Sequence, residues 1–265
     1  KSAAKATMPR NTFVFDGRVL GIRAYIRLKC FSRLKCERSR PVRGEKRMKR
    51  ALIVYGGWEG HVPDQIADIL GHVLKQENYE VELSDTLESF RDEEKMAATD
   101  LIVPIWTMGT IERELLVSLL RTIENGTGIA GCHGGMGDAF RNEVEYQFMV
   151  GGQWVAHPGN DGVKYRVHIK EKDHPLVRGI EDFDVVTEQY YMHVDPAVNV
   201  LATTRFPVAE GPHSSNGPVD MPVIWTKYWG KGKVYYCSLG HSADIIRMPQ
   251  VMELMRRGML WATRS

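Results

Sequence analysis

The stretch Gly128-Ile129-Ala130-Gly131-Cys132-His133-Gly134-Gly135 decides how this chain is read. Small and apolar residues lead to a polar ring, glycines follow, and after Met136-Gly137 helical character begins near Asp138. That is the order strand, tight turn, helix. Gly131-x-His133-x-Gly135 has the spacing of a nucleophile elbow, in which glycines flank a strained residue whose side chain stands out of a sheet. Such elbows usually carry Ser or Cys at the apex. Here His133 takes that place and Cys132 falls one residue early. The plainer alternative is a glycine-rich strand-to-helix turn whose histidine only hydrogen-bonds the turn.

Upstream of the elbow the pattern is regular. Residues 51–55 form a short apolar run that ends at Gly56-Gly57, as a buried parallel strand does. Ile66, Ile69, Leu70, Val73 and Leu74 fall at helical spacing within 62–77. Residues 79–83 alternate like a strand, and 101–106 are a further apolar strand. Leu115, Leu116, Leu119, Leu120 and Ile123 share one face of a helix over 112–124. Alternating strands and helices with short connections predict an α/β fold: a doubly wound, mainly parallel sheet flanked by helices. Downstream the pattern loosens. It predicts a helix over about 138–149, strands over 163–169, 199–203, 222–226 and 233–239, and a last helix over 249–262. Residues 207–220, rich in Pro, Gly and Ser, read as a surface loop.

The charge is divided unevenly. The first 50 residues carry 16 Lys and Arg against 3 Asp and Glu, and the rest of the chain carries 19 against 30. Residues 1–47 show no sustained amphipathic period, so they are expected to be a basic extension, dispensable to a single domain over 48–265. A nucleic-acid role for that extension rests on charge alone, because its basic residues fall in no RNA-binding or helix-turn-helix pattern. No apolar run approaches the roughly 18–20 residues that span a membrane. The four cysteines, at 30, 36, 132 and 237, form no CxxC pair. A disulfide framework or structural zinc ribbon is not expected, and a reducing, cytoplasmic setting is.

In open parallel sheets, ligands bind beyond the carboxyl ends of the strands. This sequence loads those positions. Trp58, Glu59 and His61 follow the first strand, Thr107 and Met108 the third, His133 and Asp138 the elbow strand, and His241 the late strand. The region between adds His157, Glu188, Tyr190, Tyr191 and His193. Histidine can act as acid, base or metal ligand near neutral pH, and Trp58 and the tyrosines could stack on a sugar ring or simply fill core. Neither HExxH nor His-x-His is present. A zinc or manganese site would have to be assembled from distant segments, three His and a carboxylate with an open position suiting catalytic zinc.

Taken together, several stretches resemble the ThuA-like family, named for trehalose utilisation. They are 48–54 with Gly56-Gly57-Trp58-Glu59-Gly60-His61; 128–140; Gly151-Gly152-Gln153-Trp154 with His157-Pro158; His174-Pro175 with Gly179-Ile180; Glu188-Gln189-Tyr190; Pro222-Val223-Ile224-Trp225; and Gly230-Lys231-Gly232 through His241. The resemblance covers 48–265. It implies a flavodoxin-like sheet similar to that of class I glutamine amidotransferases, and a role in the metabolism of trehalose or related disaccharides and their keto forms. True amidotransferases of this fold need an elbow Cys and a late His-x-Glu. Here the apex is His133, and His241 is followed by Ser242-Ala243-Asp244, so glutaminase chemistry is not expected.

The expected function is a cytoplasmic sugar-processing enzyme. His133 serves as general acid/base, His241 as its partner, and Glu188 as a second base or ligand to substrate hydroxyls. Trp58, His61, Asp138, His157, Tyr190 and His193 are the expected substrate-binding residues, some of them around a metal if one is bound. The competing expectation is a non-catalytic sugar-binding protein, or one that docks a sugar dehydrogenase; homo-oligomerisation stays open.

Overall fold

The computed structural model describes residues 47–265. The expected basic extension therefore lies outside the described residues except for Arg47, which bonds the domain through Asp100. In chain order the first half runs β1 (Lys49–Gly57), α1 (Pro63–Gln76), β2 (Tyr79–Ser84), α2 (Glu93–Ala98), β3 (Leu101–Thr107), α3 (Arg113–Glu124), β4 (Gly128–Cys132) and α4 (His133–Gly137). The second half runs α5 (Val144–Val150), β5 (Gly152–Ala156), β6 (Val163–Ile169), β7 (Phe183–Thr187), β8 (Tyr191–Val194), β9 (Asn199–Phe206), β10 (Val219–Trp229), β11 (Gly232–Cys237), α6 (Ala243–Arg247) and α7 (Pro249–Ala262).

The main sheet has the order β2-β1-β3-β4-β11-β10-β9-β6-β7. Its first five strands are all parallel, which is the flavodoxin-like order with β11 in fifth place. The remaining four extend it antiparallel. Alternation along β1 shows how the layers are specified. Ala51 and Ile53 face the core under α1 and α7, while Leu52 and Val54 face the core under α3. Both faces are covered, so the strand reads as a continuous apolar run. Helix α1 starts at Pro63, where a missing N–H costs nothing. It buries Ile66, Leu70, Val73 and Leu74 on one side. Each such side chain contributes about 1.5–3 kcal/mol, and Leu70→Ala is expected to cost about 2–5 kcal/mol.

Among the differences from the sequence reading, two bear on the site. The helix expected over 138–149 is two pieces, because α4 begins at the elbow itself and closes at Gly137. The chain then pairs with the end of β3: Met108 N–H donates to Asp138 O (3.0 Å) and Phe140 N–H to Met108 O (3.1 Å). Phe140 takes a left-handed φ of 50°, and a helix resumes only at Val144. Strands β5 and β8 pair with each other as a separate ribbon. Neither was apparent, since each is only four or five residues long and has no periodic partner nearby in sequence. Among the described residues no helix is long and apolar enough to cross a membrane.

Candidate active site

The parallel order places β1 beside β3, and their outgoing chains diverge to opposite faces. That crevice at the carboxyl edge is where such sheets bind ligands. His61 reaches it from the turn after β1, Thr107 ends β3, His133 caps β4, and His241 follows β11. Glu188 arrives from the antiparallel half, where residues 188–190 link β7 to the β5–β8 ribbon. That link is fastened by four hydrogen bonds. Tyr165 Oη donates to Glu188 O (2.9 Å), and the Gln189 side chain donates to Thr204 Oγ1 and Arg205 O (both 3.0 Å) while accepting from Val208 N–H (3.1 Å).

His133 occupies the elbow apex with φ 47°, a strained value for a residue with a side chain. The neighbouring Gly134 is required by close approach, because a Cβ there would lie 2.6 Å from His61 Cε1. The apex is strained, as the elbow spacing predicts, but its side chain does not stand open to solvent. It is only 2% exposed, stacked on Tyr190 at 4.0 Å between ring centroids. Its Nδ1 donates to Ser238 O (2.8 Å), its Nε2 faces Glu188 Oε2 (3.1 Å), and Tyr236 Oη donates to its carbonyl (3.0 Å). His241 Nδ1 lies 3.4 Å from the same Glu188 oxygen, and its Nε2 3.9 Å from Asp161 Oδ2. His61 Nδ1 shares a hydrogen bond with Thr107 Oγ1 (2.8 Å). The rings of His61, His133 and His241 stand 4.7–5.4 Å apart. These three histidines and Glu188 form a group that could hold a metal ion.

The electrostatics follow from burial and this crowding. Burial, reinforced by the charges of His133 and His241, pushes His61 down to about 3. Burial also lowers His133, against the pull of Glu188. For Glu188 burial works the other way, but the imidazoles of His133 and His241 against it outweigh that and hold the carboxyl below the usual range. His241, the most exposed of the four, is raised by the Glu188 carboxylate beside it.

The other expected site residues divide. His157 is at the mouth, with Nε2 3.8 Å from Glu188 Oε1. Trp58 sits edge-on to His61 at 4.6 Å and is largely exposed. Asp138 is buried and taken up by Arg141 in a two-point ion pair (2.6 and 2.8 Å). It therefore supports the turn after the elbow and is not free for substrate, and Arg141 in turn lies over Trp154 at 4.7 Å. His193 does not join the group. Opposite Gln153 on the ribbon, it is exposed where Met192 turns inward, as strand alternation requires. Cys132 faces the core and burial drives its thiol pKa strongly upward, so it offers no nucleophile. Gln189, Tyr165 and the Ser238 carbonyl were missed as parts of the site. They act through backbone positions and long-range bonds, for which only the strand pattern around them gives a signal.

A family model for ThuA, trehalose utilisation, matches residues 50–262. Among solved structures, a ThuA-like protein from Bacteroides uniformis superposes with a TM-score of 0.67 at 16% identity, over 84% of this chain and 95% of that one. A ThuA-like protein from Parabacteroides merdae gives 0.64 at 17%, over 81% and 90%. A cytoplasmic protein from Salmonella typhimurium gives 0.59 at 14%, over 82% and 100%. At these identities the likeness is one of fold. No curated protein is significantly similar in sequence.

Proposed function

The chain belongs to the ThuA family, and from that premise we propose that it is an enzyme transferring protons on a carbohydrate, a disaccharide such as trehalose or a keto form of one. The observation that carries the reading is the convergence of three imidazoles on one buried carboxylate at the ligand-binding edge of the sheet. Burying four ionisable groups together is costly for a fold, and proton transfer is what such an arrangement does well. Glu188, ionised and with Oε1 turned toward His157 at the mouth, is the base. His241, whose Nε2 faces outward near Asp161, is the acid. His133, held through Nδ1 by Ser238 O and with Nε2 against Glu188, orients that carboxylate, which moves it from the acid/base role expected of the apex. Trp58 offers a ring face beside the group. The cytoplasmic setting expected from cysteine use belongs to the same proposal.

One observation favours a second reading. The elbow residue is buried and cannot itself reach a substrate, as in a scaffold kept for binding sugar or docking a sugar dehydrogenase. Incubation with a panel of disaccharides and keto-disaccharides, followed by NMR, separates the two. Turnover that falls about 10²–10⁴-fold in Glu188→Gln and His241→Gln is the expected result. Binding without turnover supports the second reading, and neither binding nor turnover overturns both.

A further inference from the structure

The group at the sheet edge leaves its own valences unanswered. Ser238 O can only accept, so His133 Nδ1 carries a proton. A neutral His133 then turns a lone pair at Nε2 toward Glu188 Oε2, 3.1 Å away. An ionised carboxylate also only accepts. Two acceptors at hydrogen-bond distance need something positive between them. A proton would make an imidazolium in a pocket where the ring is 2% exposed. His241 Nδ1 is also buried, makes no hydrogen bond, and lies 3.4 Å from the same oxygen. His61, with Nδ1 engaged by Thr107, leaves Nε2 over.

We propose that His61 Nε2, His133 Nε2, His241 Nδ1 and Glu188 Oε2 bind a divalent first-row transition cation, zinc or manganese. One donor atom from each residue lies within 4.8 Å of all the others. Ligands at about 2.0–2.2 Å from such an ion stand about 2.8–4.4 Å apart, from neighbouring to opposite positions of the polyhedron. The two pairs at Glu188, at 3.1 and 3.4 Å, already fall in that range, and no two donors lie more than 4.8 Å apart. Three imidazoles with one carboxylate suit a transition cation better than magnesium or calcium, which prefer oxygen. The Ser238 carbonyl on His133 and the Thr107 hydroxyl on His61 fix the rings as outer partners of metal-bound histidines do. His241 would keep Nε2, and Glu188 Oε1, for the proton transfers proposed above. The inference concerns the same site but rests on its donor geometry, independent of the substrate.

Tag-free full-length protein, purified without chelator, is expected to carry about one zinc or manganese per chain by elemental analysis. After stripping with dipicolinate, calorimetric titration with zinc chloride and manganese chloride should restore that stoichiometry. Glu188→Gln and His61→Asn should each weaken binding by at least about 10²-fold, with near-ultraviolet dichroism unchanged, while His193→Ala binds as before. Cobalt(II) loading supplies a visible ligand-field band that reports histidine coordination in the folded wild type, whatever the fate of a variant. Absence of bound metal together with no heat from either cation overturns the site, as does full affinity in both ligand variants. Ion binding with no carbohydrate bound or turned over refutes the sugar reading alone. Undiminished turnover by stripped protein that takes up no ion refutes the metal site alone.

Discussion

At the amino-terminal edge of the parallel strands, Asp100 is completely buried, yet each of its oxygens is met. Arg47 reaches both carboxylate oxygens (2.7 and 2.9 Å), Arg50 N–H adds a bond to one (2.9 Å), and the carbonyl accepts from Gly128 and Arg264. At the carboxyl edge, Glu188 is buried nearly as deeply, and its neighbours are rings with nitrogens left over. The first edge joins β1, β3, β4 and the chain end into one piece. The second holds charge that no internal bond completes. Burial of a polar group is therefore not by itself a sign of function; what distinguishes the two edges is whether its hydrogen-bonding capacity is used up. Lys227 belongs to the completed kind, since it donates to Phe148 O and to Asp195 Oδ2 (2.6 Å) and fastens the chain after β8 to β10.

The contrast can be broken by experiment, and the largest effect should come from the incomplete edge. Zinc at about a thousand times its dissociation constant adds about 4 kcal/mol to stability, or a rise in Tm of about 10 °C for a chain of this size. Calorimetric scans of loaded and stripped protein measure it, and equal Tm values would make the two edges alike. Asp100→Ala should cost about 1–3 kcal/mol by leaving buried donors unpaired, seen as a lower urea midpoint, and leave zinc affinity untouched. A loss of zinc affinity would show that the edges are coupled.

A smaller effect concerns acid. The Lys227 ammonium beside Asp195, with the Ala197 N–H, holds that carboxyl below its usual value. Its folded pKa is thus lower than its unfolded one, about 3.9. The stability it contributes is present above about pH 3.9 and is lost as pH falls through the folded value. Urea midpoints measured from pH 6 downward (~3 at the lowest) should decline less steeply in Asp195→Asn than in wild type; parallel profiles would show that the pair is not a source of acid lability. His193→Ala, on the solvent face of β8, should shift stability by less than about 0.5 kcal/mol and leave carbohydrate binding unchanged. A loss of sugar binding there would bring the ribbon back into the site.

The first half of the fold is legible because each element is local. A buried strand such as residues 51–54 is a continuous apolar run, and α1 and α3 repeat their apolar residues at helical spacing. Strand order at the carboxyl edge then follows from α/β connectivity, which is why His61, His133 and His241 could be placed on one edge from sequence. The ribbon of β5 and β8 could not, since its pairing joins residues some forty positions apart and neither strand is long enough to declare itself.

What the sequence determined by itself is therefore the glycine-flanked elbow with histidine in place of the nucleophile, and the loading of the strand ends with rings. Only the tertiary structure decided which of those rings share an acid. Glu188 follows the strand at the far side of the sheet in pairing order, and it is brought to His133 by Tyr165 and by Gln189 anchored on β9. The same long-range packing buried the apex. A side chain's direction and free valence depend on contacts distant in sequence, and no local period encodes them.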